Sequence, residues 1–159
     1  MKMIGFEDYF AIQALYTTYA AALDENRLET WPDFFVENGE YKLQSRENFD
    51  GGFRLATIWC EGHGMMKDRI YSILETLYYE RYFQHHVVSA PRIVDMDGGV
   101  FHTEAHYVVH RTKRGQFPQL LNLGRYIDTI VKVGGEMKLQ NRLCVFDNEL
   151  IPNSLIYPI

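Results

Sequence analysis

The sequence predicts an α+β fold in which a strongly bent, mixed or antiparallel β-sheet forms an open cone around three N-terminal helical segments. Three observations lead to this prediction. Helical periodicity dominates the first half of the chain, and strand alternation dominates residues 85–147. Glycine-containing turns separate the strand-like runs, as in antiparallel meanders. A bent sheet around the helices is the simplest way to bury the apolar faces of both layers.

The first half of the chain has the pattern of three helical segments. From Phe6 to Asp24, apolar residues recur at helical spacing and predict one amphipathic helix. We expect a short helix over residues 28–35 and a longer one over residues 65–82. Between them, residues 40–47 alternate as a strand, whereas the apolar run 54–62 fits either a helix or a strand.

The second half of the chain consists of four β-rich runs. They are separated by the sequences DGG, RGQ and VGGE, which place glycine where a hairpin needs a positive φ. The runs span residues 85–95, 100–112, 118–133 and 137–147. We therefore expect an antiparallel meander after the helices.

Alternation along these runs predicts one apolar sheet face, directed at the helices, and one mixed face. In the second run, Phe101 and Tyr107 belong to the apolar face, and His102 and His106 belong to the mixed face. In the last run, the same alternation assigns Arg142 and Phe146 to the mixed face. A surface of this composition suits docking onto another protein. The resulting interface candidates are His102, His106, Arg142 and Phe146.

One arginine is predicted to be buried. Arg125 shares the apolar parity of its run with Leu121 and Ile127. A buried arginine needs a carboxylate partner, and the expected partner is Asp147, with Asp24 as the other candidate. We interpret the Arg125–Asp147 pair as structural.

The segment NELIPNSLIYPI, residues 148–159 and called the tail below, is unusually apolar for the end of a domain. Pro152 and Pro158 prevent it from forming a helix or a central strand. We expect the tail to fold back onto its own domain or to lie across a neighbouring subunit. Its large apolar residues are further interface candidates: Leu155, Ile156, Tyr157 and Ile159.

Composition and charge narrow the class of protein. A chain of 159 residues with 47% hydrophobic and 23% charged residues is typical of one soluble globular domain, here residues 1–159. The net charge of −5 and the scattered basic residues argue against nucleic-acid or anionic-membrane partners. Two distant cysteines, and the absence of a signal-peptide pattern or a long apolar run, indicate a cytoplasmic protein without a membrane segment.

A possible metal site lies in the second β-rich run. His102, Glu104 and His106 supply two imidazoles and a carboxylate on one strand face, as in 2-His-1-carboxylate iron sites. Residues four apart on a strand lie about 13 Å apart, so the two histidines cannot bind one ion. A neighbouring pair could still share an ion with His85 or His110. A polar surface is the favoured interpretation.

Other catalytic and cofactor signatures are incomplete. Cys60-x-x-His63 resembles half of a cluster motif, but the second cysteine, Cys144, has no histidine nearby. The sequence contains neither a glycine-rich phosphate loop nor a Gly-x-Ser-x-Gly nucleophile motif. We therefore expect no catalytic, metal-binding or cofactor-binding residue in this chain.

A cone-shaped fold also allows a different function. Small cone-shaped isomerases and dehydratases perform acid–base chemistry in a dry pocket. The bulky residues on the predicted apolar faces would instead fill such a cavity. A free-standing isomerase, dehydratase or small-ligand binder is therefore the alternative prediction. Its cavity candidates are Tyr16, Tyr19, Tyr41, Tyr107, Asp128 and Asp147.

Segments across nearly the whole chain resemble the small (beta) subunit of aromatic-ring-hydroxylating dioxygenases. LDENRLETWPDFFVENGEYKL resembles the helix, short helix and strand that open that subunit. DRIYSILETLYYER and HHVVSAPRIV resemble its third helix and the next strand. AHYVVHRTKRGQFPQLLNLGRYIDTIVKV and KLQNRLCVFDNELIPNSLIYPI resemble its final strands and tail. The shared features are hydrophobic patterns and a few polar residues.

The resemblance implies the nuclear-transport-factor-2-like cone fold and a mainly structural role. In that family, the large (alpha) subunit holds a Rieske [2Fe-2S] cluster and a mononuclear non-haem Fe(II). The small subunits sit beneath a ring of large ones, commonly as α3β3, and a reductase or ferredoxin supplies electrons. The expected partner is therefore a large oxygenase subunit. The overall look of the chain suggests a benzoate-type aromatic acid as the substrate of the assembly.

Overall fold

The computed structural model describes residues 3–159, in which helices pack against the inner face of a curled, unclosed sheet. Among these residues, no helix is long and apolar enough to cross a membrane. The helical elements are α1 (Phe6–Asp24), a 3₁₀ helix (Leu28–Phe34), α2 (Arg46–Asp50), α3 (Gly62–Tyr71) and a π-helical turn (Ser72–Thr76).

Within residues 3–159, seven strands form one mixed sheet. They are β1 (Phe35–Ser45), β2 (Ile58–Glu61), β3 (Phe83–Val88), β4 (Arg92–Asp97), β5 (Val100–Thr112), β6 (Gln119–Val133) and β7 (Glu136–Phe146). The strand order is β2-β1-β7-β6-β5-β3, and β4 also pairs with β5. Only β1 and β7 run parallel to each other. The predicted fold class is confirmed.

The first helix has the predicted bounds, and its apolar stripe is buried against the sheet. Ile12, Leu15, Tyr16, Tyr19 and Leu23 all belong to the hydrophobic core. In β5, the residues of the predicted apolar face are buried as well. Helical and strand periodicity therefore identified the two surfaces that meet in the core.

The predicted third helix, residues 65–82, begins earlier and ends earlier. It starts at Gly62 and passes into the π-helical turn, which ends at Thr76. Leu77 has an extended backbone, and the ring of Tyr78 is fully exposed. Ile70 and Ile73 are buried as the periodicity predicted, but after Thr76 the apolar residues do not form a buried helix face.

Two other segments differ from the prediction. The ambiguous run 54–62 contains β2 and the start of α3. The run 85–95 divides into β3 and β4 on either side of Pro91, because a proline has no backbone N–H for a continuous ladder.

Ser45 ends β1 and caps α2, where its hydroxyl accepts a hydrogen bond from the Asn48 backbone N–H at 3.3 Å.

A bulge in β7 changes which of its side chains face the core. The pairing of β7 with β6 shifts at Gln140, which is left without a partner in the ladder. Leu139 lies inside before the bulge, and Arg142 and Phe146 lie inside after it. The prediction that Arg142 and Phe146 belong to an exposed interface is therefore wrong.

A second bulge, at Leu121 of β6, also changes which side chains face the core. It moves Arg125 from the predicted inner face to the outer face. Arg125 lies on the outer face of the sheet, where its guanidinium is 5.5 Å from the ring centre of Phe49. Asp147 pairs instead with Arg46, with Nη1 and Oδ1 3.3 Å apart. The predicted Arg125–Asp147 pair is therefore corrected to these two separate contacts.

The tail folds back into its own domain. The backbone N–H of Ile159 donates to the Tyr41 hydroxyl at 2.8 Å, and the carbonyl oxygen of Ile159 accepts from the Tyr19 hydroxyl at 2.9 Å. Leu155, Tyr157 and Ile159 are buried in the core, and Ile156 is half-buried. Of the two predicted destinations, the tail takes the first. Leu155, Tyr157 and Ile159 are therefore not free to serve as an interface.

We predict that Ile159→Ala lowers the free energy of unfolding by about 2–5 kcal/mol, because it leaves a cavity among buried side chains. Leu150→Ala is the matched control. Leu150 lies in the same tail but is 87% exposed, so its truncation should change the free energy by no more than about 0.5 kcal/mol. Urea unfolding of both variants measures the difference. Equal stabilities would contradict the observed burial of the tail.

Candidate functional site

A buried ion pair lies inside the cone. Arg142 of β7 donates from Nη2 to Asp128 Oδ2 at 2.7 Å and from Nε to Oδ1 at 3.1 Å. Neither side chain is exposed to solvent. This two-point geometry is the arrangement in which a guanidinium binds a carboxylate most strongly. Sequence reasoning predicted a buried arginine–carboxylate pair but placed it at the wrong residues.

Tyrosine rings surround this pair. The ring centres of Tyr126, Tyr19 and Tyr16 lie 4.0, 4.1 and 4.8 Å from the guanidinium carbon of Arg142. At these distances each ring face attracts the cation. The Tyr16 hydroxyl also donates to Asp128 Oδ2 at 2.5 Å. These contacts compensate the carboxylate and the faces of the guanidinium, and Arg142 Nη1 is the one atom of the pair that is buried without a hydrogen-bond partner among residues 3–159.

The surroundings keep the phenol of Tyr16, the guanidinium of Arg142 and the thiol of Cys144 in their ordinary protonation states at neutral pH. Burial raises the pKa of Tyr16, and the neighbouring Asp128 carboxylate raises it further. Burial alone would lower the pKa of Arg142, but the charge of Asp128 holds it well above its usual value. Burial also raises the pKa of the Cys144 thiol. A nucleophile or general base requires the opposite shift for Tyr or Cys.

Further aromatic side chains pack in the interior around this pair, together with aliphatic residues. Tyr107 stacks on Tyr126 with ring centres 4.5 Å apart, and Trp31 meets Tyr41 edge to face at 4.9 Å. Five of the six predicted cavity residues thus lie together in the core, but their side chains occupy the space. The sixth, Asp147, lies at the surface.

A second polar pair lies between α1 and β3. His86 Nδ1 is 2.6 Å from Asp24 Oδ1, and the His86 backbone N–H donates to Asp24 Oδ2 at 2.9 Å. His86 Nε2 is buried and has no hydrogen-bond partner among residues 3–159. Both residues line a groove of about 400 Å³. Sequence reasoning missed this pair, because only the fold brings together residues 62 positions apart.

The outer face of the sheet is mixed, as alternation predicted. His102 and His106 are exposed on β5. Glu104 between them accepts a hydrogen bond from Arg92 Nη2 at 2.6 Å, and His102 Nδ1 lies 3.3 Å from the Thr129 hydroxyl. The role of His102 and His106 in an interface stays a prediction.

Comparison with known proteins gives a consistent result. The model of the SnoaL-like domain matches residues 6–143. The anthranilate 1,2-dioxygenase small subunit of Burkholderia cepacia is 30% identical over 151 residues, which cover 95% of this chain and 94% of that protein. A second relative is the terephthalate 1,2-dioxygenase, terminal oxygenase component subunit beta 2, of Comamonas sp. It is 26% identical over 148 residues, which cover 93% of this chain and 96% of that protein.

A solved structure agrees with these sequence relatives. It is assigned to the beta subunit of an aromatic-ring-hydroxylating dioxygenase from Novosphingobium aromaticivorans. It superimposes with a TM-score of 0.88 at 32% identity and covers 96% of this chain and 97% of that one.

The chain therefore belongs to the SnoaL-like domain family, whose cone is of the nuclear-transport-factor-2-like type. Within that family, its relatives are small (beta) subunits of aromatic dioxygenases, which confirms the resemblance seen in the sequence.

The donor side chains of residues 3–159 do not fit the metal centres that such a family implies. In this part of the chain, no group of three or more His, Cys, Asp or Glu is arranged to hold a metal ion. Cys60 and Cys144 are buried free thiols on β2 and β7. His63 Nε2 lies 2.9 Å from the Phe35 carbonyl oxygen. A Rieske cluster, which needs two Cys and two His, has no set of ligands here.

We predict that Arg142→Met lowers the free energy of unfolding by about 3–5 kcal/mol, because it leaves the Asp128 carboxylate buried and unpaired. Asp128→Asn in the same background should restore part of the loss, since it removes the orphaned charge. Arg125→Met, on the outer face, is the matched control and should have a small effect. Denaturant unfolding of the four proteins measures these differences, and equal losses for Arg142→Met and Arg125→Met would contradict the buried pair.

The buried tyrosines predict a loss of stability at alkaline pH. Burial raises the pKa of Tyr16, Tyr41, Tyr107 and Tyr126 above the unfolded value of 10.0. Their contribution to stability is therefore complete below the unfolded value and is lost as pH rises toward the folded values. Tyrosinate absorbance and circular dichroism, followed upward from about pH 9, should change together. Ionisation of these tyrosines before unfolding would contradict their burial.

Proposed function

We propose that this chain is the small, mainly structural subunit of a multicomponent Rieske non-haem iron aromatic-ring-hydroxylating dioxygenase. It forms one domain, residues 1–159, with the tail folded onto it, and acts in the cytoplasm. Its role is to support a catalytic large subunit that hydroxylates an aromatic compound. The two sequence relatives described above are named for dioxygenases of aromatic carboxylates, so a benzoate-type acid is the proposed substrate class.

The filled interior of the cone supports a role without catalysis. An active site needs room for substrate and an acid or base poised near neutral pH. Here Arg142 and Asp128 neutralise each other, and burial raises the pKa of the tyrosines around them. The end of the tail also occupies part of the interior. Arg69 of α3 holds it there, since Arg69 Nη2 donates to the Ile156 carbonyl oxygen at 2.7 Å. Chemistry on an aromatic ring would then occur in another subunit.

In this proposal, the Rieske cluster and the mononuclear iron belong to the large subunit. When bound there, they supply the oxygen activation that the side chains of this chain do not provide. The proposed assembly alternates three large and three small subunits, and a reductase or ferredoxin delivers electrons to it. The lack of a matching donor set among residues 3–159 supports this division of labour.

The outer face of the sheet is the proposed contact with neighbouring subunits. His102 and His106 are exposed on it, and His106 pairs across the sheet with Arg125. Phe83 and Val87 on β3 add exposed apolar area to the same side. A surface that mixes apolar, imidazole and guanidinium groups is typical of the rim and core of protein interfaces.

The proposal is tested by isolating this chain from its native cells after mild lysis and by measuring native mass, iron and acid-labile sulfide. We expect an equimolar larger partner that carries both iron and sulfide. A homo-oligomer without an iron-containing partner would contradict the proposal.

Added negative charges test the contact surface. His102→Glu with His106→Glu should lower the amount of co-purified large subunit by about tenfold or more, because buried like or unpaired charges weaken an interface. Lys67→Glu is the control, since Lys67 is exposed on α3, away from the sheet face. Equal recovery of the large subunit with both variants would exclude the outer face as the contact.

The second candidate function is a free-standing isomerase, dehydratase or ligand binder. One observation favours it, namely the Asp24–His86 pair beside the groove along α1. In this case the chain alone should bind or convert a small aromatic compound, and His86→Gln should remove that activity while the fold is retained. A chain without such binding that co-purifies with an iron-containing subunit would exclude this candidate.

A further inference from the structure

Arg111 is a buried arginine whose charge is not matched by a carboxylate. It lies on the inner face of β5 and is 5% exposed. Within residues 3–159, Nη2 donates to Gln119 Oε1 at 3.1 Å, and the guanidinium carbon lies 5.5 Å from the ring centre of Tyr82. Its Nε is buried and has no hydrogen-bond partner in this part of the chain. Arg142, by contrast, has both a carboxylate and three close rings.

The ion pair on the same cavity wall does not supply the missing anion. Lys113 Nζ lies 3.1 Å from Glu80 Oε2, so the charges of these two residues compensate each other. Arg111 therefore adds one uncompensated positive charge to this region. A buried, unpaired charge is strongly unfavourable, which indicates that an anion reaches this site in the functional protein.

A cavity of about 460 Å³ lies against Arg111. It is bounded by the segment between α3 and β3, by the end of β5 and by residues 153–156 of the tail. This volume is within the usual range for small-molecule sites. Its apolar walls come from Leu77, Tyr78, Tyr79, Tyr82 and Ile156.

A second buried polar group with no hydrogen-bond partner lies beside Arg111. Gln84 is the direct cross-strand neighbour of Arg111 in the β3–β5 pair. Its side chain is buried, and neither its amide nitrogen nor its amide oxygen has a hydrogen-bond partner among residues 3–159. Two neighbouring side chains with unmet hydrogen bonds are rare in native cores. Gln84 lines an adjacent groove beside Tyr82 and Phe83, whereas the cavity of about 460 Å³ lies against Arg111 itself.

We propose that this cavity binds a carboxylate, with the guanidinium of Arg111 on the anion and the tyrosine rings against its apolar or aromatic body. A guanidinium is well suited to a carboxylate, because it offers several donors in one plane. Because Lys113 compensates Glu80, the charge of Arg111 remains on the cavity wall, and one positive charge favours a monoanion over a dianion such as phosphate. The carboxylate is that of a free aromatic acid or of an Asp or Glu side chain of a partner subunit.

The test uses benzoate as the probe and benzamide as its neutral analogue, each titrated into the purified full chain by calorimetry. We expect benzoate to bind at least about tenfold more tightly than benzamide, and added salt to weaken it. Arg111→Met should remove this preference, and Arg111→Lys should retain part of it. Arg92→Met is the matched control, because Arg92 is an exposed arginine on β4, and it should bind benzoate like the wild type.

The complex with the large subunit distinguishes the two sources of the carboxylate. If benzoate still binds the complex, the ligand is a free acid. If the complex no longer binds benzoate and Arg111→Met lowers recovery of the large subunit, the carboxylate belongs to the partner. The proposal is overturned if benzoate and benzamide bind equally, or if Arg111→Met binds like the wild type. Thermal unfolding provides a second measurement, in which benzoate should stabilise the wild type but not Arg111→Met.

Discussion

The fold depends on the pairing of Arg142 with Asp128 inside the cone. These residues are direct neighbours on β6 and β7, so the ion pair forms only in one register of the two strands. A slip of one residue would move one of the charges to the outer face. A buried ion pair is tolerated only with good geometry and full compensation. Asp128 receives two donors from Arg142 and one from Tyr16, and tyrosine rings cover the cation.

This compensation has a consequence for function. The SnoaL-like cone can enclose a cavity, but fold alone does not decide what the interior does. In this chain the interior holds an ion pair, stacked tyrosines and the end of the tail, whose backbone is held by Tyr19 and Tyr41. The candidate surfaces for contact with another molecule therefore lie outside this packed interior. They are the outer sheet face, the groove beside Asp24 and His86, and the cavity beside Arg111.

Arg142 and Arg111 show how the same residue type differs with its surroundings. Both are buried on the inner face of the sheet. Arg142 has its anion within the chain, so its charge stabilises one packing of the core. Arg111 has a glutamine and a more distant ring as its partners, so its charge is available to an anion from outside. Whether a carboxylate of the same chain compensates the charge therefore distinguishes Arg142, a structural residue, from Arg111, a candidate binding residue.

The sequence by itself determined the bounds of α1, the positions of β5, β6 and β7, the faces of β5, the apolar character of the tail and the dioxygenase small-subunit resemblance. The helix, strand and face assignments follow from local periodicity, which a chain expresses without its partners, whereas the small-subunit resemblance rests on segments shared with a known family. Only the tertiary structure decided the bulges at Leu121 and Gln140, because a bulge depends on how two strands pair. The bulges placed Arg142 rather than Arg125 in the core. Long-range packing likewise fixed the destination of the tail and the meeting of Asp24 with His86, since neither contact is encoded by a local pattern.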